Sequence, residues 1–160
     1  NVDNTGTVSV NGVISGAGGL TKTGSGLLSI NSVQAYRGGT SVNGGTLIYG
    51  VDNALYSDDG IYVGAAGTVD LNGHNASAAY IDGSGNMMIG NKTLTIGDGR
   101  GRSFGGDIAG AGGHLVKNGT GTMFLLGNNS YTGGTTVTGG TLVGTAASLP
   151  GDIVNDAFVV

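Results

Sequence analysis

The sequence predicts an all-β chain wound as a parallel β-helix, a solenoid of about eight three-stranded coils. Three observations lead there. Glycine, threonine, serine, asparagine and valine dominate, while glutamate is absent and all ten acids are aspartate. Such a mixture favours strands and tight turns over helices. One long stretch of the chain is repeated, and short apolar runs recur between glycine turns at intervals suited to a solenoid.

The repeat is the most informative feature. Gly110–Gly144 reads GAGGHLVKNGTGTMFLLGNNSYTGGTTVTGGTLVG, and Gly16–Gly50 reads GAGGLTKTGSGLLSINSVQAYRGGTSVNGGTLIYG. After one extra residue, His114, the two align at an offset of 95. Lys22 then matches Lys117, Gly24 matches Gly119, and Gly26 matches Gly121. Tyr36 matches Tyr131, and Gly38, Gly39 and Thr40 match Gly133, Gly134 and Thr135. Val42 matches Val137, while Gly44, Gly45, Thr46 and Leu47 match Gly139, Gly140, Thr141 and Leu142. These residues make one domain, 1–160, with related units at about 13–50 and 107–145.

In chain order, Thr5–Val10 alternates, with Val8 and Val10 on one side, and Asn11-Gly12 turns. Leu28 and Ile30 share a face in the next strand. Gly38-Gly39 leads to Thr40–Val42, and Asn43–Gly45 turns into Thr46–Tyr49. Ile30, Val42 and Leu47 thus point inward from successive short strands, and Leu28 to Leu47 closes one coil. Val51–Asp59 lacks a pattern and reads as a loop. Gly60–Val63, Thr68–Leu71, Ala79–Ile81, Met87–Ile89 and Thr93–Ile96 resume the strands. In the second unit Met123, Leu125, Val137 and Leu142 take the inward places. Asp152–Val154 and Ala157–Val160 begin a further coil. At a strand spacing of about 4.8 Å, eight coils make a rod roughly 40 Å long.

Composition excludes several classes. Net charge is -4 with six basic residues, so a phosphate-binding face for nucleic acid is not expected. Cysteine is absent, which rules out disulfides and thiolate metal sites. No apolar run approaches the length of a membrane-spanning helix.

The pattern GAGGxLxKxGxGxxxLxGxNxYTGGTTVxxGTL at Gly110–Leu142 resembles the passenger-associated transport repeat, the autotransporter-associated β-strand repeat of Gram-negative type V secretion. Thr68–Asn75, Thr93–Gly97 and Phe104–Gly113 look like coils that link such repeats. The first unit departs from the pattern, with Gln34, Ala35 and Arg37 in place of Asn129, Ser130 and Thr132. The resemblance implies a right-handed β-helix in the secreted part of an autotransporter. It also implies a C-terminal outer-membrane β-barrel partner beyond this chain, and it brings no catalytic residue and no cofactor.

Other constellations are weak. Asp58-Asp59 is the one acidic pair, and neighbours on a strand face opposite ways. His74 and His114 lack partners at metal-ligand spacing. Gly85–Thr93 resembles a phosphate loop but opens no helix. Gly105-Gly106-Asp107 and Gly97-Asp98-Gly99 do not recur as calcium repeats do, which leaves calcium at a single corner as an open alternative. Tyr36, Tyr131 and Tyr49 either pack corners or form an exposed stripe.

The expected function is a structural and interaction segment of an autotransporter passenger. Such a rod lies at the cell surface or is secreted, and supports export, display, adhesion or self-association. A receptor-binding adhesin or toxin fragment, meeting a host receptor or glycan, is the alternative. A carbohydrate-active β-helix enzyme is disfavoured, because paired carboxylates with nearby Lys or Arg are wanting.

Overall fold

The computed structural model describes residues 1–55 and 58–160. Every paired strand runs parallel to its neighbours, and no described residue is helical. The chain winds through about eight turns of a β-solenoid with three faces.

Face one stacks nine strands in chain order. It starts at Val2–Asp3 and Leu20–Thr23, passes through Tyr80–Gly83 and Thr122–Leu125, and ends at Phe158–Val159. Face two carries Thr7–Val10, Leu27–Ile30, Asn86–Met88 and Ile108–Ala109. Face three carries Ala76–Ala78, Thr93–Ile96, His114–Lys117, Thr135–Val137 and Ile153–Asn155. Its N-terminal part is the pair Ser15–Gly16 and Ala35–Tyr36. Gln34 N donating to Ala54 O, and Asn53 N to Asn75 O, carry that pair onward to Ala76.

The pitch is read along one column of face one. Lys22 pairs with Val42, Val42 with Val63, Val63 with Gly83, Gly83 with Phe104, and Phe104 with Leu125. Each step is 20 or 21 residues. Strands are short because each face holds only a few residues before the next corner.

Two strands are longer than the sequence suggests. Thr40–Tyr49 is one strand of 10 residues, and Gly60–Asp70 is one of 11. Each was expected as two strands with a turn between. The corner is taken instead by a bulge, where the pairing slips between Val42 and Gly44. A bulge bends a strand without ending its ladder. In the second unit the same corner, Gly139-Gly140, does separate Thr135–Val137 from Thr141–Val143. Of the loop expected over Val51–Asp59, Tyr56 and Ser57 lie outside the described residues, and the remainder holds no strand.

The core is a set of aliphatic columns. Leu28, Leu47, Val69, Met87 and Ile108 stack in register on face two, each fully buried. Ile30, Val42, Leu125, Val137 and Leu142 are buried as completely. Burying each such side chain is worth about 1.5–3 kcal/mol. The faces meet no second layer, so stability comes from stacking one coil on the next.

Candidate functional site

The repeat residues assemble the same corner twice. Lys22 and Lys117 alternate inward with Leu20 and Leu115, and both are buried despite their charge. The Lys22 Nζ donates to Thr23 O at 2.6 Å, Gly24 O at 2.9 Å and Gly44 O at 3.2 Å. The Lys117 Nζ donates to Asn118 O at 2.6 Å, Gly119 O at 3.1 Å and Gly139 O at 3.1 Å. Three carbonyl acceptors match the three N–H bonds of an ammonium group. Two of the carbonyls belong to the lysine's own coil and the third to the next one. The ammonium therefore ties consecutive coils at a corner.

Gly45 and Gly140 form the far wall of this cage. Their φ values are 66° and 68°, in the left-handed region that disfavours side chains. A Cβ on Gly45 would lie 2.4 Å from Gly26 O and 2.6 Å from Gly24 O, and the Gly140 equivalent would lie 2.3 Å from Gly121 O. Thr46 N and Thr141 N donate to Gly26 O and Gly121 O, continuing the ladder past the corner. Leu47 and Leu142 then turn fully inward. Gly38 and Gly133 press on the neighbouring coil: a Cβ at either would lie within 2.6 Å of backbone there. Gly39 and Gly134 turn left-handed just before Thr40 and Thr135.

A second shared contact lies further round the coil. The Tyr36 hydroxyl meets Thr40 Oγ1 at 2.5 Å, and the Tyr131 hydroxyl meets Thr135 Oγ1 at 2.7 Å. All four residues are buried. The tyrosines, Tyr49 included, pack inside and form no exposed stripe. The departure at Gln34 changes little. Gln34 Oε1 accepts from Ile14 N at 2.8 Å, as Asn129 Oδ1 accepts from Ile108 N at 2.7 Å. Each amide reaches into the preceding coil at the same relative place.

The two units do not sit one above the other. Val42 shares its face-one column with Leu125, while Val137, the residue that matches Val42, lies on face three. Tyr36 lies on face three, and Tyr131 follows Ser130, whose N–H donates to Ile108 O of face two. The second unit is turned by one face about the axis. The structure therefore does not bring Lys22 and Lys117, or Tyr36 and Tyr131, together.

Titration follows from burial. Desolvation lowers both lysines, and Asp3 partly offsets this at Lys22, as Asp98 does at Lys117. Desolvation pushes Tyr36 up to about 12, and it raises Tyr131 and Tyr49 as well. A phenol raised in the fold holds its proton where the unfolded chain has lost it. Its contribution is full below the unfolded value near 10 and is lost as pH climbs through about 12. The lysines act with the opposite sign, adding stability as pH rises toward their unfolded value of 10.5. The urea midpoint is thus expected to drop between about pH 10 and 12. The double variant Tyr36→Phe/Tyr131→Phe should lessen that drop and leave the part due to Tyr49.

The remaining sequence candidates lie on the surface. His74 Nδ1 is 3.2 Å from Asp52 Oδ1. The Asn75 backbone N–H, with His74 behind it, holds the Asp52 carboxyl below its usual range. His114 bonds to Gly133 O and Thr136 Oγ1. Arg102 stacks over the Tyr80 ring at 3.5 Å and lies 3.5 Å from Asp98. The other side of that ring rests on Gly60, where a Cβ would come within 2.0 Å of it. Both faces of Tyr80 are therefore taken by the protein. Among the described residues, no three or more His, Cys, Asp or Glu side chains gather to hold a metal.

The family profile described as Passenger-associated-transport-repeat matches residues 20–48 and 115–143. Both units of the internal repeat are thus similar to this family. Each match begins within the strand before a buried lysine and ends just after the inward leucine. The chain is also 41% identical over 144 residues to the Adhesin BmaC autotransporter of Brucella suis biovar 1 (strain 1330). That alignment takes in 85% of this chain and 4% of the relative, so the chain spans a small fraction of its length. No solved structure matches the chain. The sequence pattern found the repeat but not the buried charge in it. The available signal was parity, since Lys22 alternates in step with Leu20.

Proposed function

We propose that this chain is a stiff spacer segment of an autotransporter passenger, displayed at the surface of a Gram-negative bacterium or secreted from it. The single observation that carries this reading is the twice-built lysine corner within passenger-type repeats. It is a device for locking coil to coil, and a rod needs little else. The shared residues from Gly24 to Leu47 and from Gly119 to Leu142 are, on this reading, corner formers rather than reactive groups. The units at about 13–50 and 107–145 then belong to one continuous segment. The full protein's C-terminal outer-membrane barrel supplies the export route, and coils that lock as they emerge bias passage outward.

A second reading, that the rod itself adheres, is supported by the relative's description as an adhesin and by the groove described below. The test is to place the chain in frame between a secretion signal and an outer-membrane barrel, then treat intact cells with protease and antibody. Display of a folded, protease-resistant segment outside the cell is the expected result. Retention in the periplasm, or a segment degraded at once on the surface, would overturn the proposal.

A further inference from the structure

Face two carries an open groove of about 320 Å³ on its outer side. Register places Thr68 beside Asn86 and Asp70 beside Met88, and Met88 beside Ala109. Met87 N donates to Asp107 O, Asn128 N donates to Asp107 Oδ1 at 2.8 Å, and Ser130 N donates to Ile108 O. Thr68, Asn86, Asp107 and Asn128 therefore climb the rod in one column. Met88, Ala109 and Ser130 climb in the column beside it.

The groove asparagines share free side-chain amides with Asn43, Asn53, Asn91 and Asn118, in contrast to a second set that is bonded. Asn31, Asn72, Asn75 and Asn129 all spend their side-chain amides on bonds within the protein. Among the described residues, the amides of Asn86 and Asn128 and the hydroxyls of Thr68 and Ser130 have no partner in the chain. Met88 is 49% exposed at the middle of the groove. No Lys or Arg lines it.

Free amides and hydroxyls on a regular ladder, flanked by one apolar side chain, suit a ligand with hydroxyls at its edge and C–H groups on its face. Sugar rings have that character. Successive coils stand about 4.8 Å apart, close to the advance of one ring in an extended glycan, whereas an extended peptide advances about 3.4 Å per residue and falls out of step. A peptide cannot pair as an added strand either, because Met87 N and Ile89 N already donate to Asp107 O and Ala109 O. Asp107, with Asp70 nearby, repels an acidic glycan. We propose that this groove binds a neutral, hydroxyl-rich glycan laid along the rod axis, about one ring per coil. The inference rests on the chain being displayed outside the cell, where such a glycan is met.

Titration of the purified chain with neutral cello-, chito- and malto-oligosaccharides of one to six rings, followed by calorimetry and ligand-observed NMR, tests it. Heparin serves as the acidic arm. Affinity for at least one neutral series should rise with length up to about four rings, the span of the four-residue column, and heparin should not bind at the groove. Asn86→Ala/Asn128→Ala should weaken that binding by about tenfold or more, since each lost hydrogen bond to a ligand counts in that range. The melting curve should not move, because neither amide bonds to the protein. Absence of saturable binding to every neutral series, binding unchanged in the double variant, or a preference for heparin would each overturn the proposal. None of those outcomes bears on surface display, which protease treatment of cells decides separately.

Discussion

Lys117→Met is expected to lower the unfolding free energy by about 3 kcal/mol, and Lys22→Met by a similar amount. Methionine fills much the same space but offers no N–H. Asn118 O, Gly119 O and Gly139 O then stay buried without a donor, and each orphaned carbonyl costs on the order of 1–3 kcal/mol. Relief of the desolvated charge returns part of this, which keeps the net near the lower end of the sum. The two cages are separate, so the two substitutions should add within about 0.5 kcal/mol. Urea unfolding monitored by far-UV circular dichroism reads both effects. A wild-type midpoint in Lys117→Met would mean that the ammonium does not hold the corner.

Gly140→Ala should be at least as damaging, and Gly45→Ala should match it. Left-handed backbone costs a non-glycine residue about 1–3 kcal/mol. The new Cβ would also press on Gly121 O at 2.3 Å and Gly119 O at 2.6 Å, both backbone atoms that cannot swing aside. Relieving that contact pushes the next coil away and weakens the same lysine cage. A loss of roughly 3–5 kcal/mol follows from strain and overpacking together. Gly101→Ala is the control, since nothing lies within 4 Å of its Cβ and its φ is not left-handed. It should leave stability within about 0.5 kcal/mol of wild type. Equal melting temperatures for Gly140→Ala and Gly101→Ala would contradict the packed corner.

Much of the interior was legible because alternation is a local property. Parity places Ile30, Val42, Leu47, Leu125, Val137 and Leu142 inward, and all six are fully buried. The corner glycines were legible from their repetition. Lys22 and Lys117 were not, although they share the parity of Leu20 and Leu115. A lysine is almost never buried unpaired, and its partners here are carbonyls of Gly44 and Gly139, brought in by the next coil. Backbone acceptors leave no mark in a sequence.

The turn between the two units escaped for a related reason. Steps on face one are 20 or 21 residues, whereas Ala78 to Ile96 on face three is 18. The repeat offset of 95 residues falls between four face-one steps, Lys22 to Phe104, and five, Lys22 to Leu125, so equivalent residues lie on different faces. Only a pairing register reveals it. Thr40–Tyr49 and Gly60–Asp70 each look like two strands in the sequence, because Gly44-Gly45 in the first and Gly64–Gly67 in the second have the look of turns. In the fold a bulge bends them there and the pairing carries on. The stack of Gly60, Tyr80 and Arg102 likewise joins three coils that no spacing rule links.

Coils stacked in parallel with this register fix a single distance along face one. The chain has no cysteine, so Thr21→Cys/Phe124→Cys takes two spin labels and no others. Lys22 and Leu125 end a column of five steps, which puts the neighbouring Thr21 and Phe124 on the outside of the same face. Five spacings of about 4.8 Å set the backbone positions roughly 24 Å apart. Double electron–electron resonance should therefore give one narrow distribution near 24 Å, broadened only by the label tethers. A distribution centred beyond about 40 Å, or one without a defined maximum, would contradict a stacked parallel solenoid.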